Sequence, residues 1–264
     1  MPKLRVGFFN TIDSRPVAWG FLKGHHGDLF IPSQHSPTVL AKLLAQGNLD
    51  IALLPTVDIP RIPGVRILRD ICVAGRGESR GLILVSRDEP AAVTQVAVDP
   101  ESSQGVTLLR LLWLERYGVE LDLVPMRPNL ERMLREHGAA LLIGENAWRL
   151  EEGPYRIHSL GGDWEALTRL PCVGALWAVR AGINLPDLSF YFKSSLRYGK
   201  SLQENLIREA AGEQGLDPSM IRRQLEDHLT YFLREEELRG LQELYRRMAK
   251  HGLIEAEPEL TFLD

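Results

Sequence analysis

The sequence is short of cysteine. Cys72 and Cys172 are the only two among 264 residues. They stand in unlike contexts with no Cys-x-x-Cys spacing, which excludes a zinc ribbon or a dithiol pair and leaves two free, buried thiols in a reducing compartment. An excess of either charge is also missing. With 31 Lys and Arg against 35 Asp and Glu, the formal net charge is −4. Such a chain carries no global basic field to collect nucleic acid or an anionic membrane. Long apolar runs are lacking too, so a membrane-spanning helix is not expected. The start, Met1-Pro2-Lys3-Leu4-Arg5-Val6-Gly7-Phe8-Phe9, has neither the apolar stretch nor the cleavage site of a secretory signal, and a cytoplasmic location is expected. What remains is 44% hydrophobic and 25% charged. That is ordinary globular composition, and the length suits two lobes or one large domain.

Short apolar runs alternate with helical patterns through the first two thirds. Strands are expected at Leu4–Phe9, Asp50–Leu54, Gly81–Ser86, Gln95–Val98, Leu121–Val124, Ala139–Ile143 and Val173–Val179. Most are continuously apolar rather than alternating, which suits strands covered on both faces. Between them, Ser36-Pro37 opens a helix that Gly47 stops, Ser102 to Gly118 forms a second, and Leu130 to Gly138 a third. The repetition implies an α/β fold with a largely parallel sheet. From about Pro186 only helices follow, at Asp187–Tyr198, Ser201–Gly212, Pro218–Leu229 and Glu235–Gly252. Lacking a basic face, they read as a structural cap rather than a DNA-binding module. Residues 95–172 form a compact unit, with 1–94 plus 173–264 as the other lobe. The crossings at Asp70–Ser86 and Val173–Val179 would leave a ligand cleft between the lobes.

Several motifs are ambiguous. Gly75-Arg76-Gly77-Glu78-Ser79-Arg80-Gly81 is one residue too long for a dinucleotide fingerprint and leads into a strand, so it is either a loop cradling a carboxylate or a polar turn. Asp99 to Thr107 runs from a strand into a helix N-terminus. Ser102 or Ser103 is expected to cap it, and the free amides can hold an anion. His25-His26, Asp28 and His35 have no metal-ligand spacing and read as a solvated loop. No G-x-S-x-G elbow anchors a hydrolase triad.

The order of segments resembles the chorismate dehydratase family of the futalosine route to menaquinone. The matching pieces are Arg15-Pro16, Pro37 to Pro55 (PTVLAKLLAQGNLDIALLP), Ile71 to Ser86, Asp99 to Gly118, Leu141 to Ala147 (LLIGENA), Trp164 to Trp177 (WEALTRLPCVGALW) and Tyr245 to Gly252. The likeness spans nearly the whole chain; the order and spacing are specific where no single piece is. It implies a two-lobed fold of the type 2 periplasmic-binding-protein kind with a helical C-terminal tail. It also implies conversion of chorismate to 3-[(1-carboxyvinyl)oxy]benzoate without metal or organic cofactor, and a small anionic substrate as the partner. The expected substrate contacts are Arg15, Thr56, Ser79, Arg80, Gly81, Ser103, Gln104, Gly105, Val106 and Asn146, and Asp13 is the catalytic candidate.

Four positions depart from that pattern. The family has Asn where Asp13 stands, Ser at Gly81, and a Thr-Ser pair at Gln104-Gly105. Two readings follow. In one, Asp13 is the base of a re-engineered dehydratase, and Arg80 with the Gln104–Val106 amides binds carboxylate. In the other, the chain is a binding protein or a paralogue acting on another small acid. The related enzyme forming 1,4-dihydroxy-6-naphthoate carries an N-terminal Pro-Asn-Asp-Thr stretch that is absent here.

Overall fold

Pro37 at the first turn of a helix, Gly118 and Gly138 in left-handed conformation just past two others, and β-rich runs between them give the expected alternation. The computed structural model describes residues 2–23, 27–151 and 153–263. The expectation for His25-His26 lies outside the described residues. The chain runs β1 (Leu4–Phe8), α1 (Arg15–Leu22), β2 (Phe30–Gln34), α2 (Pro37–Ala45), β3 (Ile51–Pro55) and β4 (Arg66–Gly75). It continues with β5 (Leu82–Ser86), β6 (Gln95–Val98), α3 (Ser103–Tyr117), β7 (Asp122–Pro125), α4 (Leu130–His137) and β8 (Ala139–Ile143). Next come α5 (Gly144–Trp148), β9 (Arg156–Ser159), α6 (Leu160–Thr168) and β10 (Cys172–Val179). The last part holds α7 (Leu188–Ser201), α8 (Gln203–Gln214), α9 (Pro218–Arg223), β11 (Leu229–Thr230), α10 (Glu235–Lys250) and β12 (Phe262–Leu263).

These strands make two sheets. One has the order β11-β4-β10-β3-β1-β2, with β12 also on β4; the other is β7-β6-β8-β5-β9. Neither is largely parallel. β1 runs parallel to β2 and β3, but β10 is antiparallel to β3 and β4, and β5 is antiparallel to β8 and β9. The reversals lie at the crossings: β5 enters the second sheet antiparallel to β8, and β10 re-enters the first antiparallel to β3 and β4.

The expected lobe boundary therefore moves. Leu82–Ser86 pairs with β8 and β9 in the second sheet, whereas a boundary at residue 94 would leave it in the first. Cys172 pairs with Gly75 in the first sheet. The chain thus crosses at residues 76–81 and again at 169–171.

The C-terminal helices pack rather than project. Leu188, Phe192, Leu196, Ile207, Ile221 and Leu225 close one face of the first sheet over Phe8 and Trp177. α10 covers the other face with Leu241, Leu244 and Met248, in a core it shares with Leu108 and Leu112 of α3. It also ties the two sheets together. Arg247 pairs with Glu115 of α3, Lys250 lies 3.4 Å from the same carboxylate, and the Tyr245 hydroxyl donates to the Thr56 carbonyl at 2.8 Å. Pro218–Leu229 is not one helix: α9 ends at Arg223, Gln224–His228 makes a π-helical turn, and a strand begins at Leu229.

Candidate functional site

The ends of β1, β3, β4, β6 and β8 and the start of β10 converge on a cleft of about 380 Å³ between the sheets. This is where ligands sit in doubly wound sheets. Its walls are mostly apolar, with Phe9, Val73, Leu82, Leu108, Ile143 and Leu229 among them.

Asp13 enters from the turn between β1 and α1. Ser14 fixes that turn: its buried hydroxyl donates to the Phe9 carbonyl at 2.7 Å and accepts from the Thr11 amide at 3.0 Å. Burial pushes the Asp13 carboxyl up to about 6, opposed only in part by a hydrogen bond from Gln224 Nε2 to Oδ1 at 3.4 Å. A carboxyl with that pKa takes and returns a proton near neutrality.

The N-terminus of α3 lines the same cleft. Ser102 occupies the cap position, but its side chain makes no capping bond, and the Ser103 hydroxyl donates instead to Asp58 at 2.7 Å. The expected serine cap is therefore not made. The first intrahelical bond runs from the Val106 amide to the Ser102 carbonyl, which leaves the amides of Ser103, Gln104 and Gly105 at the open end. Gln104 Oε1 accepts from the Val57 amide at 3.4 Å and lies 3.0 Å from Thr56 Oγ1, while its buried Nε2 has no partner. Three amides, an orphaned amide donor and the helix dipole form a place for an oxyanion.

Seven of the eleven expected residues line this cleft: Asp13, Ser79, Gly81, Ser103, Gln104, Gly105 and Asn146. Four do not. Arg15 is 3% exposed and turns away to pair with Glu213 of α8, because the first turn of α1 rotates it off the cleft face. The Arg80 side chain is exposed; only its amide, which donates to Gln224 Oε1 at 3.3 Å, joins the local network. Thr56 is buried behind Gln104 and donates to the Val173 carbonyl at 2.7 Å. Val106 has spent its amide inside the helix. Of the Gly75–Gly81 segment, Arg76 is taken by Glu236, while Gly75, Ser79 and Gly81 form cleft wall.

Among the described residues, the lining contains no lysine, arginine or histidine, and it contains Asp13, Asp99, Glu101 and Glu145. Cys172 also faces the cleft, but burial lifts its thiol to about 12, so it is no nucleophile near neutral pH. The described residues hold no group of three or more His, Cys, Asp or Glu suited to a metal.

The departures from the family pattern are sterically matched. A Cβ at residue 81 would overlap Asp13 Oδ2, so the carboxyl fills the volume that a serine there would need. At Gly105 a Cβ would run into Ser102 Oγ and lie 2.6 Å from Leu82 Cδ1 and 3.1 Å from Leu141 Cδ2. Gly105→Ser should therefore cost about 1–2 kcal/mol, because three packed side chains must shift together. Urea denaturation checks this; a variant as stable as the parent means the α3 end is loosely packed.

Sequence reasoning missed Gln224, buried at 3% exposure behind Asp13, and Tyr231, whose buried hydroxyl has no partner. A lone glutamine in a helical pattern carries no signal; the π-helical turn that aims it does.

The described residues contain no helix long and apolar enough to cross a membrane. Protein AF1704 from Archaeoglobus fulgidus superposes with a TM-score of 0.76 at 19% identity, over 96% of this chain and 98% of that one. The periplasmic aliphatic sulphonate binding protein SsuA from Escherichia coli gives 0.66 at 16% identity, over 100% and 94%. The alkanesulfonate-binding SsuA from Xanthomonas axonopodis pv. citri, bound to MOPS, gives 0.69 at 15%, over 97% and 94%. These likenesses give the periplasmic-binding-protein fold. The family model described as menaquinone biosynthesis matches residues 4–250, and the chain belongs to that family.

Proposed function

We propose that the protein works in the cytoplasm as a hydro-lyase that binds chorismate in the cleft and expels water to give 3-[(1-carboxyvinyl)oxy]benzoate. The observation that carries this reading is the Asp13 carboxyl, pushed up to about 6 by burial in an apolar cleft that the open end of α3 also lines. The reaction breaks the ring C–H bond at the carbon bearing the enolpyruvyl ether and the C–O bond of the neighbouring hydroxyl. The Asp13 carboxylate accepts the proton, and the released electron pair completes the aromatic ring as hydroxide departs. Asp13 then returns its proton to hydroxide, so that one water leaves and the carboxylate is restored. Aromatisation supplies the driving force. The protein's work is to orient the ring, hold a carboxylate on the amides of Ser103–Gly105 and Gln104 Nε2, and move one proton.

Purified protein incubated with chorismate should give the aromatic enol ether by NMR at a rate proportional to enzyme. No product at high enzyme concentration overturns the dehydratase reading.

One observation favours a second reading, a binding protein or paralogue for another small acid. Among the described residues, the lining has four acidic residues and no basic side chain, which is a poor match to a dianion. Another acid raising the melting temperature where chorismate does not would select it.

A further inference from the structure

Gln224 lies outside the short segments quoted above for the family likeness, yet it ties together two segments at the cleft. Its side chain is buried at 3% exposure on the π-helical turn after α9. Nε2 donates to Ser79 Oγ at 2.7 Å and reaches Asp13 Oδ1 at 3.4 Å, while Oε1 accepts from the Arg80 amide at 3.3 Å. One amide thus joins the β1–α1 turn to the crossing strap at 79–81. Beside the same carboxyl, the missing side chain of Gly81 sets the limit. Oδ2 occupies the space that any side chain at Gly81 would take, and the Gly81 carbonyl is in turn fixed by the Gly144 amide at 2.9 Å.

We infer that Gln224 and Gly81 are positioning residues, one donating to Asp13 and the other making room for it, so that the carboxyl is held at a single place and proton affinity in the cleft. This rests on the reading of Asp13 as the proton acceptor. A neutral amide suits this role because it steadies the carboxylate without the strong pull of a cation, which would drive the proton affinity too low for a base. The other titratable groups around the carboxyl act differently. Tyr231 approaches from beyond β11 with an orphaned hydroxyl, and burial together with the Asp13 charge keeps it protonated. Cys172 of β10 is a neutral thiol, and Asp99, Glu101 and Glu145 line the same cleft. Arg15, two residues along, is committed to Glu213. Among the described residues, Gln224 is the side chain that donates a hydrogen bond to this carboxyl.

The test uses the whole protein and two independent readouts. The first is the ¹³C titration of the Asp13 carboxyl in the ligand-free protein, assigned with Asp13→Asn. The second is the pH profile of chorismate turnover. Gln224→Leu should raise the Asp13 midpoint by about one pH unit and move the acid limb of kcat/KM with it. It should also lower kcat roughly tenfold with little change in KM, the split expected when binding is kept and proton transfer is misaligned. Gln224→Glu keeps the shape and the acceptor to Arg80 but replaces the donor by a like charge, so it should raise the midpoint further; it serves if the leucine variant folds poorly. Gly81→Ala should displace the carboxyl, since its neighbour there is the mobile end of Asp13 rather than backbone. The expected result is a kcat loss of roughly 100-fold with a melting temperature close to the parent's. An Asp13 midpoint unmoved in both Gln224 variants, or full kcat in Gly81→Ala, overturns the inference. A midpoint that moves in a protein inert toward chorismate upholds the positioning and overturns the dehydratase reading alone.

Discussion

Asp13→Asn should lower kcat for chorismate by about 10²–10⁴-fold, the range that positioned proton transfer supplies. The same variant should be more stable than the parent above pH 7. The Asp13 carboxyl titrates at about 6 in the folded protein against an ordinary value of 3.8, so folding at high pH carries the cost of an ionised carboxylate in an apolar cleft. That cost is absent below the unfolded value, grows between the two, and is complete above the folded one; the separation corresponds to roughly 3 kcal/mol. Thermal melts should show Asn raising the melting temperature at pH 8 and leaving it unchanged at pH 3. Activity of the parent should fall on acidification through pH 6. A variant as active as the parent would show that the base is not this residue, and would hand the role to the substrate's own enolpyruvyl carboxylate. The resemblance makes that alternative concrete, because asparagine is the family's residue at this position. Stability and rate moving in opposite directions is the signature of a group kept for chemistry rather than for folding.

The alternating strands and helices were legible because each is specified locally, by a Pro or Gly at its ends and an apolar run within. Sheet membership was not. Leu82–Ser86 reads correctly as a strand, but nothing within it says that it pairs with Ala139–Ile143 instead of continuing the sheet of β4. The same limit governs the site. Asp13 and Arg15 are two residues apart and equally polar, yet one faces the cleft and the other a glutamate 198 residues along the chain. Family likeness carried the cleft wall well, since the strand ends that make it are fixed by topology. It carried the charges poorly, since the partner of a charge is chosen by packing between distant helices. Gln224 shows the remaining gap: a helical pattern over Pro218–Leu229 hides the π-helical turn that aims this side chain at Asp13.

Gly199→Val should cost about 3 kcal/mol and lower turnover although residue 199 is far along the chain from the cleft. Read from sequence, Gly199 follows a helix ending at Tyr198; in the structure α7 continues to Ser201 and the glycine is an internal contact. α1 and α7 approach closely over small residues. The Gly20 amide donates to Ser195 Oγ at 3.0 Å, and that hydroxyl donates to the Val17 carbonyl at 3.1 Å. A Cβ at residue 199 would overlap the Pro16 carbonyl oxygen and lie 3.1 Å from Pro16 C and Cα. The obstacle is backbone, which has no rotamer to escape into, so α1 must shift as a body. Its first turn follows directly on the segment from Phe9 to Ser14 that presents Asp13, and the shift is therefore transmitted to the carboxyl. The melting temperature should drop by roughly 6–12 °C, and kcat should fall even at temperatures where the variant is fully folded. Ser195→Ala provides the contrast. It removes two hydrogen bonds and frees space, costing about 1–2 kcal/mol, but it pushes nothing toward the cleft, so kcat should stay near the parent's. Equal kcat losses in the two variants would mean that the helical tail supports Asp13 through general stability; a loss confined to Gly199→Val would mean that it does so by fixing where α1 begins.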